Sequence, residues 1–368
     1  MRQFVKLKDI ASHSKGLQIN GDELIGNAEY DYLNGGINPS GKWNESNCEA
    51  GTIAISEGGN SCGYVNYMRE PFWCGAHCYY LYDTVKNTHY LYYALKSQQE
   101  RIMKLRSGAC MPNIKKGDLG NFEFMFDDDE VEQEKVTSIL SKLERIIEAH
   151  RKELQSFDDL IKARFVEMFG DPVHNDKKWK LDTLENLCNE IYGGGTPSKS
   201  HPEYYEKGDI PWISSKDMKT DIITESQIYI NQLGVENSTA RMVPVNSVIM
   251  VIRSGILKHT LPVAINAVPV TVNQDLKVFI PGERILTRFL AVQFKMHEKD
   301  ILSGVRTVTA DNIEFDSLKK RKLIVPTIGL QESYVKFIEQ VDKSKVAVQK
   351  SLDETQVLFD SLMQKYFG

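Results

Sequence analysis

Amide, hydroxyl and basic side chains concentrate in a few loop-like stretches of this sequence. The first stretch, residues 34–44, reads Asn-Gly-Gly-Ile-Asn-Pro-Ser-Gly-Lys-Trp-Asn and predicts a loop that carries Asn38, Lys42 and Trp43. Amide side chains can read adenine bidentately, whereas lysine and arginine contact guanine or phosphate. The composition of this stretch therefore suits contact with nucleic acid, and its alternative is an ordinary solvated loop.

Similar chemistry recurs in the second half of the chain. Three consecutive glycines end at Gly195 and are followed by Thr196, Pro197, Ser198 and Lys199. This stretch is either a plain turn or a loop whose amides, hydroxyls and lysine contact a polyanion, and both interpretations stay open. The candidate DNA contacts of the second half are Thr196, Ser198, Lys199, Ser215, Lys216, Arg253, Lys258 and Gln274.

Motifs that would indicate catalysis are missing from the sequence. A phosphate-binding G-x-x-x-x-G-K-[ST] motif is absent, so we expect no ATP hydrolysis by this chain. Asn38-Pro39-Ser40 is not the Asn-Pro-Pro-aromatic loop of amino-methyltransferases, and neither a G-x-S-x-G nor an H-E-x-x-H motif occurs. The acidic run Asp127–Glu130 is better explained by the dipole of a following helix. We therefore predict a non-enzymatic chain with no catalytic residues and no cofactor of its own.

The cysteines allow one metal hypothesis. Cys74, His77 and Cys78 could offer zinc two thiolates and an imidazole, but no second closely spaced pair accompanies them. Unpaired cysteines among aromatic residues usually fill a core, so the sequence favours buried thiols over a metal site. The cysteines concerned are Cys48, Cys62, Cys74, Cys78 and Cys110.

The overall composition is that of a globular protein. Hydrophobic residues make up 41% and charged residues 26% of the 368 residues, which excludes disordered and fibrous classes. The chain lacks both an 18-residue apolar run and an apolar segment before a cleavage site near its N-terminus, so we expect a cytoplasmic location. The formal net charge of −5 means that any DNA-binding face must be a local basic patch.

Two long stretches without glycine or proline predict helices. Residues 127–169 and 330–367 both carry apolar residues at spacings of three and four, which makes one stripe along each helix. A helix of about 40 residues is roughly 60 Å long and needs a partner along its length. Each helix is therefore the natural partner of the other. Gly170 and Gly368 follow them, where a helix end favours a positive φ.

Related sequence precedes each helix, so the chain is predicted to contain two copies of one plan. Ser107-Gly108-Ala109 and Asn113-Ile114 in the first half match Ser303-Gly304-Val305 and Asn312-Ile313 in the second. Short β-rich runs between turns predict a mixed α/β globule in each half. The predicted organisation is globule 1 (1–128), helix 1 (129–170), linker (171–178), globule 2 (179–327) and helix 2 (328–368).

Over nearly its whole length the sequence resembles the DNA specificity subunits of type I restriction–modification systems. The resemblance rests on the order of several motifs within the repeat, namely Phe165-Val166-Glu167-Met168-Phe169-Gly170-Asp171-Pro172, the Gln-Glu openings of both helices, Gly194-Gly195-Thr196-Pro197-Ser198, Pro211-Trp212-Ile213 and Asn273-Gln274-Asp275. The first half lacks the Gly-Gly-Thr-Pro motif, so fewer candidate DNA contacts are assigned there.

The resemblance implies an α+β protein with two target recognition domains, each reading one half of a split DNA target. It also implies that the two long helices pair as an antiparallel coiled coil, whose length would fix the unread spacer. The partners implied are double-stranded DNA, two modification subunits with S-adenosylmethionine and base-flipping chemistry, and restriction subunits that use ATP and Mg.

Two rival hypotheses remain at this point. One is a coiled-coil adaptor without a DNA role, and the other is a degenerate nuclease or methyltransferase component. Binding that weakens with salt, because counterions are released from DNA, favours the specificity role over the adaptor.

Overall fold

The structure, a computed structural model, describes residues 2–85, 87–108, 112–307 and 311–368. Ala109 and Cys110 of the sequence analysis lie outside these residues. The chain divides into two compact units: unit 1 comprises Met1–Glu153 and Val348–Gly368, and unit 2 comprises Leu154–Ala347. Each unit thus includes part of both long helices. The domain boundaries given above follow elements rather than these units, and they stay predictions.

Unit 1 places strands and short helices before the first long helix. That helix continues into unit 2 after Glu153, and the second long helix continues into unit 1 after Ala347. Its elements are β1 (Arg2–Lys6), α1 (Leu7–Ile10), β2 (Ser12–Lys15), β3 (Tyr30–Leu33), β4 (Gly41–Trp43), β5 (Thr52–Ser56), β6 (Val65–Met68), β7 (Phe72–Cys74), β8 (Cys78–Tyr82), α2 (Thr88–Ser97), α3 (Gln99–Met103), α4 (Lys116–Gly120), β9 (Glu123–Asp127) and α5 (Glu130–Phe169). One sheet has the order β2-β8-β5-β6 and a second the order β4-β3-β7, while β1 pairs with β9.

Unit 2 repeats this arrangement with a few additional elements. Its elements are β10 (Leu181–Thr183), α6 (Leu184–Leu187), β11 (Cys188–Gly193), β12 (Ile210–Ile213), β13 (Ile222–Ile223), β14 (Tyr229–Ile230), α7 (Gln232–Glu236), β15 (Val248–Val251), β16 (Val263–Asn266), β17 (Thr271–Val272), β18 (Leu276–Pro281), α8 (Thr287–Met296), α9 (Glu298–Ser303), β19 (Arg306–Thr307), β20 (Asp311–Asn312), α10 (Phe315–Lys319), β21 (Lys322–Ile324) and α11 (Ile328–Phe367).

The sheets of the two units correspond strand by strand. The order β11-β18-β15-β16 in unit 2, extended by β13, matches β2-β8-β5-β6 in unit 1. The order β14-β12-β17 matches β4-β3-β7, and in both sheets the central strand pairs in parallel with the last. Two mixed α/β globules of one plan, predicted from the repeated sequence, are therefore confirmed.

Apolar strands and one covering helix form the core of unit 2. Strand β15, Val-Ile-Met-Val, is buried along its whole length, as expected of a central strand covered on both faces. Helix α8 packs on this sheet, and the rings of Phe279 and Phe294 lie 5.0 Å apart. Burying such aromatic side chains stabilises each by roughly 2 to 3 kcal/mol.

The two long helices run antiparallel, as predicted. Within unit 1, Val136 and Leu140 near the start of α5 share a core with Met363 and Phe367 at the end of α11. Within unit 2 the opposite ends meet, where the hydroxyl of Tyr334 on α11 donates to the backbone oxygen of Ile161 on α5 at 2.9 Å. The start of each helix thus packs against the end of the other.

Local features explain how the helices begin and end. Gln133 and Gln331 are buried, and each side-chain amide donates to a backbone oxygen just before the helix: Asp127 at 2.6 Å and Pro326 at 2.9 Å. The Gln in both helix openings therefore anchors the entering chain. Gly170 ends α5 with a φ of +74°, which confirms the predicted C-cap. Within the described ranges, no helix is both long enough and apolar enough to cross a membrane.

Candidate nucleic-acid interface

The glycine-rich stretch of unit 2 lies directly against the end of a strand. The backbone nitrogen of Gly195 donates to the oxygen of Val272 at 3.0 Å, and a Cβ on Gly194 would lie 2.0 Å from that same oxygen. Only glycine permits this approach. The repeated glycines are thus required for packing, which brings the following polar residues beside the loop after β17.

Thr196 and Gln274 meet across these two loops. The hydroxyl of Thr196 donates to the side-chain oxygen of Gln274 at 2.8 Å, although 78 positions separate them. Gln274 is exposed, so its NH₂ group and the second lone pair of its oxygen can still bond a base edge. The structure thus brings together two residues that the sequence singled out separately.

Arg253 lies on the neighbouring loop and is held by Asp275. Its Nε and Nη2 atoms lie 2.7 and 2.6 Å from Oδ1 of Asp275, the residue after Gln274. A guanidinium carries five N–H donors, so this pairing leaves donors free on a side chain that is 48% exposed. An arginine oriented in this way is suited to phosphate or to a guanine edge.

The remaining candidates of unit 2 are spread around this group. Ser198 is exposed and its hydroxyl lies 2.7 Å from that of Ser200, while Lys199 next to it is also exposed. Lys258 extends from the loop after β15, and its Nζ lies 3.9 Å from Oδ2 of Asp311. These residues add hydroxyl and basic groups at the surface of the unit.

Ser215 and Lys216 line a cavity of about 850 Å³ within unit 2, which Ser254, the residue after Arg253, also lines. Five basic side chains line it against three acidic ones, and one of the acidic ones, Asp221, pairs with Lys295 and with Arg288, the latter at 3.7 Å. Burial would raise the pKa of Asp221, yet these two cations lower it below its usual value. The lining therefore keeps an excess of basic groups, and Ser215 and Lys216 are the candidates among its residues.

In unit 1 the structure corrects the predicted loop. Residues 34–44 contain the connection and the second strand of a hairpin rather than one loop, because Gly41–Trp43 is strand β4 and pairs with β3. Lys42 faces Asp31 across this pair with 3.6 Å between their charged atoms, and the ring of Trp43 packs edge-on at 6.4 Å from that of Trp73. Asn38 alone of the three lies at the exposed hairpin tip.

Sequence reasoning missed the unit 1 counterpart of the glycine loop. The backbone nitrogen of Leu17 donates to the oxygen of Cys74 at 2.9 Å, as that of Gly195 does to Val272. The segment Gly16-Leu17-Gln18 therefore takes the place of Gly194-Gly195-Thr196. The signal in the sequence was weak, a single glycine, Gly16, directly after the residues that form β2.

Three cysteines of unit 1 form part of one buried cluster. Cys48, Cys74 and Cys78 pack with Leu33 and Phe72, whereas the side chain of His77 is 60% exposed and faces Glu57. A hydrogen bond to Cys74, together with burial, raises the pKa of the Cys48 thiol, which is therefore protonated at neutral pH. Among the described residues, no group of three His, Cys, Asp or Glu side chains is placed to hold a metal ion.

Comparison with protein families identifies the family to which the chain belongs. The model described as the type I restriction modification DNA specificity domain matches residues 2–156 and 176–355. The chain belongs to this family. The resemblance inferred from the motif order is thereby confirmed, and the family is one of DNA sequence recognition.

Similar proteins carry the same description. The specificity subunit of the type I restriction enzyme EcoR124I/EcoR124II of Escherichia coli is 38% identical over 167 residues, which cover 45% of this chain and 41% of that protein. A putative type I specificity subunit of Mycoplasma genitalium is 26% identical over 382 residues, with 96% of this chain and 90% of the relative covered.

A crystal structure shows the same fold. The S subunit of a type I restriction–modification system from M. genitalium superposes with a TM-score of 0.64 at 21% identity, covering 100% of this chain and 96% of that one. The arrangement of two α/β globules with two long helices is therefore shared with that protein.

Proposed function

We propose that this chain reads a bipartite, asymmetric DNA target with a fixed spacer and directs type I methyltransferase and restriction subunits to it. Unit 1 reads one half of the target and unit 2 the other. The chain carries the sequence information and no catalytic step. Its site of action is the cytoplasm, where the host DNA lies.

One observation carries this proposal: the two units repeat the same backbone contacts but present different polar side chains on them. In unit 2 the loops display Thr196 and Gln274, bonded to each other. In unit 1 the corresponding loops display Gln18, whose side-chain oxygen accepts from Asn34 at 3.2 Å. A shared frame with different donors and acceptors is what an asymmetric target requires, because each base pair presents its own pattern in the major groove.

The long helices supply the second part of the proposal. A pair of helices of 40 residues each resists bending and sets the distance between half-sites, as dimer geometry does in other DNA readers. Apolar residues remain exposed on them, including Val131 at 74% and Val346 at 70%. Two modification subunits dock on the helices and globules, and they supply S-adenosylmethionine chemistry. Restriction subunits that use ATP and Mg join that core.

A methylation map of the host genome tests this function. It is recorded with the gene intact, with the gene deleted, and with the deletion complemented. The proposal expects one split motif to lose its methylation on deletion and regain it on complementation. An unchanged map while the partner modification gene is expressed would favour the alternative, an adaptor or a degenerate nuclease or methyltransferase component without its own sequence readout.

A further inference from the structure

The position-by-position match between the units identifies a second polar surface, in unit 1. Three pairs of equivalent backbone hydrogen bonds fix the match. They are Gly75 to Leu33 (2.8 Å) with Asn273 to Ile213 (2.9 Å), Leu17 to Cys74 (2.9 Å) with Gly195 to Val272 (3.0 Å), and Glu57 to His77 (2.8 Å) with Ile252 to Asp275 (2.9 Å). By this match, Gln18 takes the place of Thr196, and His77 that of Asp275.

The bridge partners extend the match to the arginine of unit 2. Gly58 bridges to Asn113 in unit 1, and Arg253 bridges to Asn312 in unit 2. Glycine therefore stands in unit 1 where unit 2 has its paired arginine. Unit 1 must present its cationic groups from other positions.

A continuous set of contacts joins two loops of unit 1. Asn34 donates to Oε1 of Gln18 at 3.2 Å, and its own Oδ1 accepts from the backbone nitrogen of His77 at 3.1 Å. The two loops are thus joined through one asparagine. Gln18 and His77 are both exposed, whereas Asn34 is half-buried between them.

A buried carboxylate holds the basic side chains of this surface. Glu57 is 7% exposed, and its Oε1 accepts from Nζ of Lys15 at 2.8 Å while its Oε2 lies 3.6 Å from Nδ1 of His77. A carboxylate withdrawn from water is costly unless it is paired, so Glu57 fixes where these two side chains stand. In unit 2 an acidic side chain likewise holds a basic one: Asp275, at the position of His77, pairs with Arg253.

We propose that Gln18 and His77 are specificity-determining residues for the half of the DNA target that unit 1 reads, and that Glu57 and Asn34 are their positioning residues. Lys15 contacts the backbone phosphates beside them. This inference rests on the proposed function and adds to it the residues that read one half-site. It locates the readout of unit 1 in the loops after β2 and β7.

The test uses the complex of the full chain with its modification subunit and a DNA library in which both half-sites are randomised. Sequencing of the methylated fraction gives the preference at every base pair. Gln18→Ala and His77→Ala should each relax discrimination at base pairs of one half-site by roughly tenfold or more, with the other half unchanged. Gln274→Ala alters the candidate interface of unit 2 and should relax only the opposite half.

Glu57→Gln tests positioning separately from folding. It should relax discrimination at the same base pairs as His77→Ala. The double variant should discriminate no less than His77→Ala alone, because Glu57 acts on these base pairs through His77. A merely structural role would lower the unfolding midpoint without changing the motif. Lys15→Ala removes a phosphate contact and should weaken binding about equally for all sequences. Lys8→Ala, at an exposed lysine on α1 with no assigned role, is its charge-matched control.

The outcomes separate this inference from the function on which it rests. Unchanged preference in both halves for Gln18→Ala and His77→Ala overturns the inference while the proposed function stands. A uniform loss across all sequences also overturns it, since that result assigns phosphate contacts only. A wild-type complex that methylates no split motif contradicts the proposed function itself, and this inference with it.

Discussion

Gly16 and Gly194 occupy the same position in the two units of this chain. A Cβ on Gly16 would lie 1.9 Å from the oxygen of Cys74, and one on Gly194 would lie 2.0 Å from the oxygen of Val272. In each unit the acceptor residue ends the strand that pairs in parallel with the centre of the small sheet. The candidate reading loops therefore start from one backbone geometry in both units.

Replacing either glycine should disturb one half-site only. Gly194→Ala should destabilise unit 2 by about 1 to 3 kcal/mol, because the loop must move away from a backbone oxygen that is fixed in a paired strand. Chemical denaturation measures the cost, and the methylated motif should weaken in the half read by unit 2. Gly255→Ala, with open space around its Cβ, is the control. Equal stability of the two variants would contradict the close approach.

Arg253 should contribute to the salt dependence of DNA binding. Arg253→Ala removes a cation at the candidate interface, so the slope of log Kobs against log salt should become less negative by about one. Arg284→Ala is the matched control, since Arg284 pairs with Asp182 at 2.7 Å and is 47% exposed, close to the 48% of Arg253. Titrations between low and moderate salt measure both slopes. If Arg253→Ala and Arg284→Ala have identical salt slopes, Arg253 does not contact DNA.

His297 should make the stability of unit 2 depend on pH. Burial, helped by the charge of Arg321, lowers the pKa of His297 to about 4. No group of the described residues hydrogen-bonds either of its ring nitrogens. An unfolded histidine has a pKa of about 6.5, so the unfolded state binds the proton first as pH falls. Protonation of His297 therefore leaves the free energy of unfolding unchanged above about pH 6.5 and lowers it by roughly 3 kcal/mol towards pH 4.

Urea denaturation across this pH window checks the effect of His297. His297→Leu should remove its share of the pH slope, because leucine has no proton to bind. His259→Leu is the control, since the imidazole of His259 is exposed. If His297→Leu keeps the full slope between pH 4 and 6.5, another group is responsible.

Tyr334 should stabilise the packing of α11 against α5 within unit 2. Its side chain is fully buried, and its ring lies 5.5 Å from those of both Phe165 and Phe169 on α5. Tyr334→Phe should cost about 1 kcal/mol for the hydrogen bond to Ile161, and Tyr334→Ala about 3 to 5 kcal/mol for the cavity as well. Denaturation midpoints give both values. Val346→Ala, at a position 70% exposed, should cost almost nothing.

The helices and the repeat were predictable because they depend on local sequence. Stretches without glycine or proline and with one apolar stripe can form little else, and Gly170 marked the end of α5. The pairing of these helices was predictable because the apolar stripe of each needs a partner that shields it from water. Such features need only residue order and spacing.

The interface of unit 1 was not predictable in the same way. Lys42 and Trp43 were assigned to a loop, but pairing of β4 with β3 places them on a strand. The link from Gln18 through Asn34 to His77 joins residues far apart in the chain. Long-range backbone contacts create that link, and a single glycine at position 16 was too weak a signal for it.

The central claim is that each unit reads one half of a split target, and a domain exchange tests it most directly. Residues 1–128 are replaced by the corresponding region of another family member, and the methylated motif is determined for the purified complex with its modification subunit. The account predicts that one half of the motif changes while the other half and the spacer stay the same. A change in both halves, or in neither half of a complex that still methylates DNA, would contradict it.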